Sequence, residues 1–298
     1  MTINHLVISG GGPTGIIAYG VLQKLHMAKL WELKNIETVY AASIGCLISI
    51  FIVLGYSWDI IDEYIIDRPW EKALAGINQD ILTIFHNKGM DGTQFFKIIT
   101  GPLLKGKNLS DEITLKELYD FTGIKLYFMA AEINQGHVLQ NEVISHDTYP
   151  DMTLNTAIAC SCAVPVLFKP VVVGNKCFID GGVINNYPLS LCITNNECDP
   201  DDVLAILCNS GDSPLPIVDE SSTFLEFIHV LLQRNLNLMS TTKAQPVVKY
   251  SVTYLAEDMA DASLILSILY EKDARRALIN RGHESAEALL KVTCQETV

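Results

Sequence analysis

A chain of 298 residues, 49% of them hydrophobic, has enough apolar material for one large α/β domain or two ordinary ones. Its formal net charge of -13 argues against nucleic acid as a partner, because a polyanion is repelled unless a dense basic patch faces it. The same charge disfavours constitutive docking on anionic lipid, whereas transient contact with a membrane surface through an apolar face stays compatible with it.

Two periodicities alternate along the chain. Short apolar runs bounded by turn residues are typical of buried strands, and apolar residues three and four positions apart are typical of helices. The predicted strands cover residues 5–9, 36–42, 125–132, 136–144, 171–179 (a hairpin), 203–208 and 247–254. The predicted helices cover residues 16–33, 44–54, 58–73, 114–121, 154–162, 186–193 and 223–239, and helical segments close the chain over 262–290. Because no linker or repeat interrupts this alternation, we predict one α/β domain over residues 1–298, a three-layer sandwich with a mostly parallel central sheet.

The pattern loosens over residues 78–111, where glycines and Pro102 separate short apolar pieces. We interpret this stretch as an insertion at the edge of the sheet. Both a mobile cap and a structural spacer are compatible with its composition.

The chain lacks the patterns of export and of metal binding. Met1 leads directly into an apolar strand, without the basic start of a signal peptide. The longest apolar run, residues 44–56, is shorter than the about 20 residues that a bilayer span needs. Eight cysteines are scattered without a C-x-x-C pair, and no H-E-x-x-H motif occurs, so we expect no zinc site. These features predict a cytoplasmic protein with reduced thiols.

The first predicted strand ends in a glycine-rich turn, Gly10-Gly11-Gly12-Pro13-Thr14-Gly15. The amides of such a turn converge on one point and the following helix start adds partial positive charge, so the turn is an anion cradle. One interpretation is a dinucleotide site, because the glycines match G-x-G-x-x-G. That site needs an acidic residue at the end of the next strand, and Glu37 lies at its beginning instead. The other interpretation is an oxyanion hole for acyl transfer, with the amides of Gly11, Gly12 and Thr14 as donors.

The second predicted strand turns directly into an apolar helix at Ser43. The segment Ala41-Ala42-Ser43-Ile44-Gly45 is nearly the G-x-S-x-G nucleophile elbow, with Ala41 at the first glycine position. Such a turn lifts a hydroxyl out of the sheet onto the positive end of a helix. The elbow and the glycine turn follow neighbouring strands and fall on the same end of a parallel sheet, where ligand sites collect. Ser43 is therefore a candidate covalent nucleophile.

A nucleophilic serine needs a base. None of the seven histidines stands in a recognisable motif; they occupy positions 5, 26, 86, 137, 146, 229 and 283. Asp180 is the better candidate, because it ends a predicted strand and is followed by Gly181 and Gly182, which let other backbone approach its carboxylate closely.

Together these motifs resemble the patatin-like phospholipase family. The matching segments are the turn from Gly10 to Gly15, the elbow from Ala41 to Gly45, Asp180-Gly181-Gly182, and the flanking stretches 157–165 and 183–188. The resemblance extends over about residues 5–210 and includes the order of the motifs. It depends on the combination, which is far more specific than any one motif.

The resemblance implies a lipid acyl hydrolase of the phospholipase or lysophospholipase type, which cleaves carboxylic esters without histidine, metal or organic cofactor. Ser43 would be the nucleophile and Asp180 the general base, and the substrate would be a phospholipid or another acyl lipid. The implied oxyanion hole comprises Gly10, Gly11, Gly12, Thr14 and Gly15. The implied supporting residues of elbow and dyad are Ala41, Gly45, Gly181 and Gly182.

Two positions depart from the family's pattern. Ala41 stands where the family usually has a glycine, and Thr14 stands where it commonly has a basic residue. Alanine is small enough to fit a tight turn, whereas Thr14 removes a positive charge from the anion site. Two alternatives stay open: a flavin- or nicotinamide-binding Rossmann protein, on the pattern of the glycine turn, and a catalytically weak lipid-binding protein of the same fold, to which Thr14 gives weight.

Overall fold

A computed structural model of the chain describes residues 2–75, 86–209, 217–223, 245–255 and 262–295, together with 226–228, 230, 231 and 234. One mixed sheet runs through these residues. Its strands are β1 (His5–Ile8), β2 (Thr38–Ala42), β3 (Lys125–Glu132), β4 (Gln140–Ile144), β5 (Val171–Val173), β6 (Lys176–Asp180), β7 (Val203–Asn209) and β8 (Tyr250–Leu255).

The strands pair in the order β5-β6-β3-β2-β1-β7-β8, with β4 paired to β3. The five strands β3, β2, β1, β7 and β8 are parallel to one another. The pairs β3–β4, β3–β6 and β5–β6 are antiparallel. Both central strands β1 and β2 are buried along their whole length. That burial explains their continuous apolar sequences, because a parallel strand is covered on both faces.

The helices lie on both faces of the sheet. They are α1 (Gly15–Met27), α2 (Ile44–Val53), α3 (Trp58–Asp67), α4 (Trp70–Ala73), α5 (Gly92–Gly106), α6 (Leu115–Thr122), α7 (Leu154–Cys162), α8 (Gly182–Asn185), α9 (Leu189–Asn196), α10 (Ala262–Tyr270) and α11 (Lys272–Gln295). Among the described residues, no helix is both long and apolar enough to cross a membrane.

Alternate residues of β1 enter two separate cores. Leu6 and Ile8 pack in the larger core, which includes α1, α2 and α7. Val7 packs in the smaller core with Leu189 and Cys192 of α9. Helices therefore cover both faces of one sheet, and the predicted α/β sandwich with a mostly parallel sheet is confirmed.

Three predicted helices are shortened or broken in the structure. The helix predicted over 16–33 ends at Met27, and Lys29 beyond it has a φ of 61°. The helix predicted over 58–73 is broken into α3 and α4, because Pro69 disfavours helical backbone in the preceding Arg68, whose ψ is 134°. The helix predicted over 186–193 begins only at Leu189, since Pro188 takes the position before its first turn.

The loosened stretch 78–111 contains a regular helix, α5, although the sequence pattern predicted none. Asp91 caps its start by accepting a hydrogen bond from the Gln94 amide at 3.2 Å, and the helix packs against α7. Tertiary packing thus supports a helix whose apolar periodicity is interrupted by glycines and Pro102. Residues 78–85 lie outside the described residues, as does most of the helix predicted over 223–239.

The register of β3 brings the carboxyl ends of two strands together. Ala42, the last residue of β2, lies opposite Met129, and Asp180, the last residue of β6, lies opposite the next residue, Ala130. Because β4 pairs with residues 128–132 and occupies one edge of β3, β2 and β6 follow one another along the other edge. Since β6 runs antiparallel to β3, the two strands end against each other.

The first and last helices cross at very short range. An ideal Cβ atom on Gly20 of α1 would lie 2.3 Å from the Ile279 carbonyl oxygen of α11. One on Gly282 of α11 would lie 2.3 Å from the Ile17 carbonyl oxygen of α1. Only glycine at both positions allows this approach, so α11 is fixed against the helix that begins at the glycine turn.

We predict that Gly20→Ala lowers the free energy of unfolding by about 1–3 kcal/mol, because the methyl group forces the two helix backbones apart. Urea denaturation measures the change. Gly92→Ala is the matched control, since its Cβ would meet the nearest atom of Ala159 at an ordinary 3.5 Å. Equal stability of the two variants would contradict the close crossing.

Candidate active site

Ser43 occupies a strained turn between β2 and α2. Its φ of 50° and ψ of -130° lie in a region that residues with side chains rarely adopt. Gly45 permits the turn, because an ideal Cβ there would lie 2.6 Å from the Ile8 carbonyl oxygen. Ala41, in contrast, lies inside β2 opposite Ile8 and Phe128, where a methyl group packs in the core. Alanine at this position is thus compatible with the elbow.

The meeting strand ends bring Ser43 and Asp180 into direct contact. The Ser43 hydroxyl donates a hydrogen bond to Asp180 Oδ2 at 2.6 Å, and the Gly182 amide donates to Oδ1 at 2.7 Å. Ser43 is 8% exposed and Asp180 is 5% exposed. Both oxygens of the carboxylate therefore have a donor, and the pair is almost closed to water.

Burial raises the pKa of Asp180 from its ordinary 3.8 to about 6. Loss of hydration is the largest cause, because it disfavours the charged form, and the hydrogen bonds from Ser43 and Gly182 oppose the rise. The outcome is a carboxylate that is ionised at neutral pH and is a better proton acceptor than a solvated aspartate.

Thr14 supports the glycine turn through a side-chain hydrogen bond. Its side chain is fully buried and its hydroxyl donates to the Gly11 carbonyl oxygen at 2.7 Å. The amide of Gly15, at the start of α1, donates to the Gly12 carbonyl oxygen. Threonine at position 14 is thus part of the turn's internal support and brings no charge to it.

Asn186 ties the same turn to the segment that follows Asp180. The Gly10 amide donates to the Asn186 carbonyl oxygen at 3.2 Å, and the Asn186 side-chain amide donates back to the Gly10 carbonyl oxygen at 3.3 Å. The Gly10 amide is therefore engaged with protein. The amides of Gly11 and Gly12 make no hydrogen bond to any residue that the structure describes.

Three of the described histidines have hydrogen-bond partners other than Ser43 and Asp180. Nδ1 of His5 lies 2.8 Å from the Thr38 hydroxyl, at the amino end of the sheet. Nδ1 of His26 accepts from the Trp58 indole at 3.0 Å, and Nε2 of His283 lies 2.7 Å from Gln23 Oε1. His229 lies outside the described residues.

Glu37 and the glycine turn lie at opposite ends of the parallel strands, which does not fit a dinucleotide site. Glu37 precedes the first residue of β2, and its backbone amide donates to the Asn4 carbonyl oxygen at 2.8 Å. That position is at the amino end of the parallel strands, whereas the glycine turn follows the carboxyl end of β1. Across the described residues, no cluster of three or more His, Cys, Asp or Glu side chains could hold a metal ion.

The sequence alone did not indicate that Ser161 supports the elbow and that Asn186 supports the glycine turn. The Ser161 hydroxyl accepts a hydrogen bond from the Ser43 backbone amide at 3.0 Å. Both residues lie in segments that the family resemblance covers, but neither carries a local signal, because each acts across more than 100 positions of the chain. Such contacts become visible only once the strands are paired.

Comparison with known proteins assigns the family. The family model described as patatin-like phospholipase matches residues 6–193. A protein of Invertebrate iridescent virus 6, described as probable lipid hydrolase 463L, is 28% identical over 200 residues, which are 63% of this chain and 62% of that protein. The uncharacterized protein YqhO of Bacillus subtilis is 26% identical over 199 residues, which are 62% of this chain and 65% of YqhO. The chain thus spans less than two thirds of these relatives.

Among solved structures, VipD from Legionella pneumophila superposes with a TM-score of 0.53 at 17% identity, over 98% of this chain and 67% of VipD. This likeness concerns the fold. The family match covers more than half of the sequence and includes the glycine turn, the elbow and the aspartate motif. The chain belongs to the patatin-like phospholipase family.

Proposed function

We propose that the protein is a lipid acyl hydrolase that cleaves carboxylic esters through Ser43 and Asp180. The observation that carries the proposal is the 2.6 Å hydrogen bond from the Ser43 hydroxyl to the buried carboxylate of Asp180. The glycine turn lies beside this pair, since an ideal Cβ atom on Gly10 would lie 3.0 Å from the Ser43 Cβ. A serine on a strained elbow, a base within hydrogen-bond reach and backbone amides to which no described residue is hydrogen-bonded are the three parts that acyl transfer needs.

In the first half-reaction Ser43 Oγ attacks the ester carbonyl carbon and its proton passes to Asp180 Oδ2. The negative charge that develops on the carbonyl oxygen is stabilised by the amides of Gly11 and Gly12, and Pro13 contributes none because it lacks an N–H. Each such donor is worth about 3 kcal/mol in the transition state. The intermediate collapses, the ester C–O bond breaks, and the leaving alkoxide takes the proton from Asp180.

In the second half-reaction water attacks the acyl-serine. Asp180 accepts a proton from the water, the oxyanion forms again on the same amides, and collapse releases the fatty acid. Ser43 Oγ recovers its proton from Asp180. The cycle returns both side chains to their starting state and consumes one water molecule.

The family and the viral relative described as a probable lipid hydrolase support an acyl lipid as the substrate. A phospholipid or lysophospholipid is the class we propose. Since Thr14 is buried and neutral, the anion site would depend on amides and on the amino end of α1 for its positive potential. We propose that residues 1–298 act as one domain, supported by the crossing of α1 and α11.

Ser43→Ala and Asp180→Asn are each expected to lower kcat for a short p-nitrophenyl ester by at least about 10³-fold, because each removes a group that acts on the reacting atoms. Fluorophosphonate labelling with peptide mapping is the direct test and should modify Ser43. Ser190→Ala, at an exposed serine, is the control and should behave like the wild type. Full turnover by Ser43→Ala would end the proposal, and lipid retained without any turnover would favour the lipid-binding alternative.

The rate is expected to follow the ionisation of Asp180. Because the base must be unprotonated, kcat/KM should rise with pH through about 6 and level off above about 7. A pH–rate profile with a soluble ester measures this limb. A limb near pH 4 would show that the carboxylate is not buried in the working enzyme.

The same carboxylate should weaken the fold at neutral pH. In the folded state the Asp180 carboxyl stays protonated up to about pH 6, whereas in the unfolded chain it loses its proton near pH 4. The contribution of Asp180 to the free energy of unfolding is therefore fully present below pH 4. That stabilisation is lost as the pH rises through about 6. The difference between 3.8 and about 6 corresponds to about 3 kcal/mol.

We therefore predict that Asp180→Asn raises the free energy of unfolding by about 1–3 kcal/mol at pH 8, and that the gain disappears near pH 4. Urea denaturation at pH 4, 6 and 8 measures it. Asp151→Asn, at an exposed carboxylate, should change little at any pH. If Asp180→Asn is no more stable than wild type at pH 8, the carboxylate carries no such penalty.

A further inference from the structure

Ser161 is a fully buried serine in the last turn of α7, and all its hydrogen-bonding capacity is used. Its hydroxyl donates to the Met129 carbonyl oxygen at 2.5 Å. It accepts from the Ser43 backbone amide at 3.0 Å and from the Cys46 thiol at 3.1 Å. A hydroxyl has one donor and two acceptor sites, so this one is saturated and its orientation is fixed.

The end of α7 also forms hydrogen bonds with the segment that contains Asp180. The Ser161 carbonyl oxygen accepts from the Gly181 amide at 3.1 Å, and the Ala163 carbonyl oxygen accepts from the Asp180 amide at 3.0 Å. One residue therefore contacts the elbow through its side chain and the aspartate segment through its backbone. Its third contact, Met129, is the β3 residue at which β2 ends.

The elbow needs such support. Ser43 has a φ of 50°, and a residue with a side chain keeps this backbone only where its surroundings fix it. The Cys46 amide holds the Ser43 carbonyl oxygen at 2.9 Å, and Ser161 holds the amide on the other side of the same residue. These two bonds fix both peptide groups around the nucleophile.

We propose that Ser161 is a positioning residue that sets the distance between Ser43 Oγ and Asp180. This inference rests on the proposed function and adds to it a residue that does not touch the substrate. Removal of the hydroxyl takes away the hydrogen bond that the Ser43 amide donates and one that the Met129 carbonyl oxygen accepts, at a residue that is fully buried. The elbow then relaxes, and the nucleophile moves out of line with its base.

The test is the rate of fluorophosphonate labelling at Ser43 together with kcat and KM for a soluble p-nitrophenyl ester. Ser161→Ala is expected to lower the labelling rate constant and kcat by about 10- to 100-fold, since a displacement on the order of 1 Å has effects of this size. KM should stay within about twofold, because no substrate contact is removed. A merely structural role would lower thermal stability without this split.

Ser49→Ala is the matched control. Ser49 is also a fully buried serine, on α2, and its hydroxyl donates to the Cys46 carbonyl oxygen at 2.6 Å. The variant deletes the same atom near the site but leaves the Ser43 amide bonded. Its labelling rate is expected to stay within about twofold of wild type. Rates of Ser161→Ala as high as those of Ser49→Ala would overturn the proposal.

Ser161→Cys adds a rescue. A thiol donates and accepts only weakly, so labelling should fall between wild type and Ser161→Ala. If Ser161→Ala does not fold, Ser161→Cys alone decides: labelling at least about fivefold slower than in Ser49→Ala supports the proposal, and equal labelling overturns it. Wild-type protein that is not labelled at Ser43 would instead refute the proposed function, so the two failures are distinguishable.

Discussion

The contact between Ser43 and Asp180 depends on one register of β3. Ala42 and Asp180 lie opposite consecutive residues of this strand, Met129 and Ala130, so the ends of β2 and β6 meet there. A shift of one residue in either ladder would turn the side chains to the opposite face of the sheet. The pairing of three strands therefore sets a geometry that neither local segment could set alone.

Unfavourable features are concentrated at this point. Ser43 has a strained backbone, Asp180 is a buried carboxylate whose pKa is raised to about 6, and Gly45 is pressed against the Ile8 carbonyl oxygen. Each persists because the surroundings are rigid. The apolar α2, the end of α7 and the crossing of α1 with α11 supply that rigidity, so the core of the sandwich stabilises a site that is itself destabilising.

The differences between the predicted and the observed helices have local physical causes. Pro69 broke one predicted helix because it restricts the residue before it. The helix over residues 92–106 escaped prediction because its glycines and Pro102 weaken the periodic signal, and its packing on α7 supplies what propensity does not. By contrast, the helix predicted over residues 114–121 is found at Leu115–Thr122, where Thr114 and Glu117 form a capping box that is complete within four residues.

The sequence by itself determined the α/β class, the strand–turn–helix units at Ser43 and at the glycine turn, and Asp180 as the candidate partner of the serine. These follow from short-range rules: periodicity, glycine spacing and the chemistry of a nucleophile and its base. Tertiary structure alone decided that Asn186 holds the glycine turn and that Ser161 holds the elbow. Their partners are distant in the chain, and a hydrogen bond between distant residues exists only once the register of β3 has brought them together.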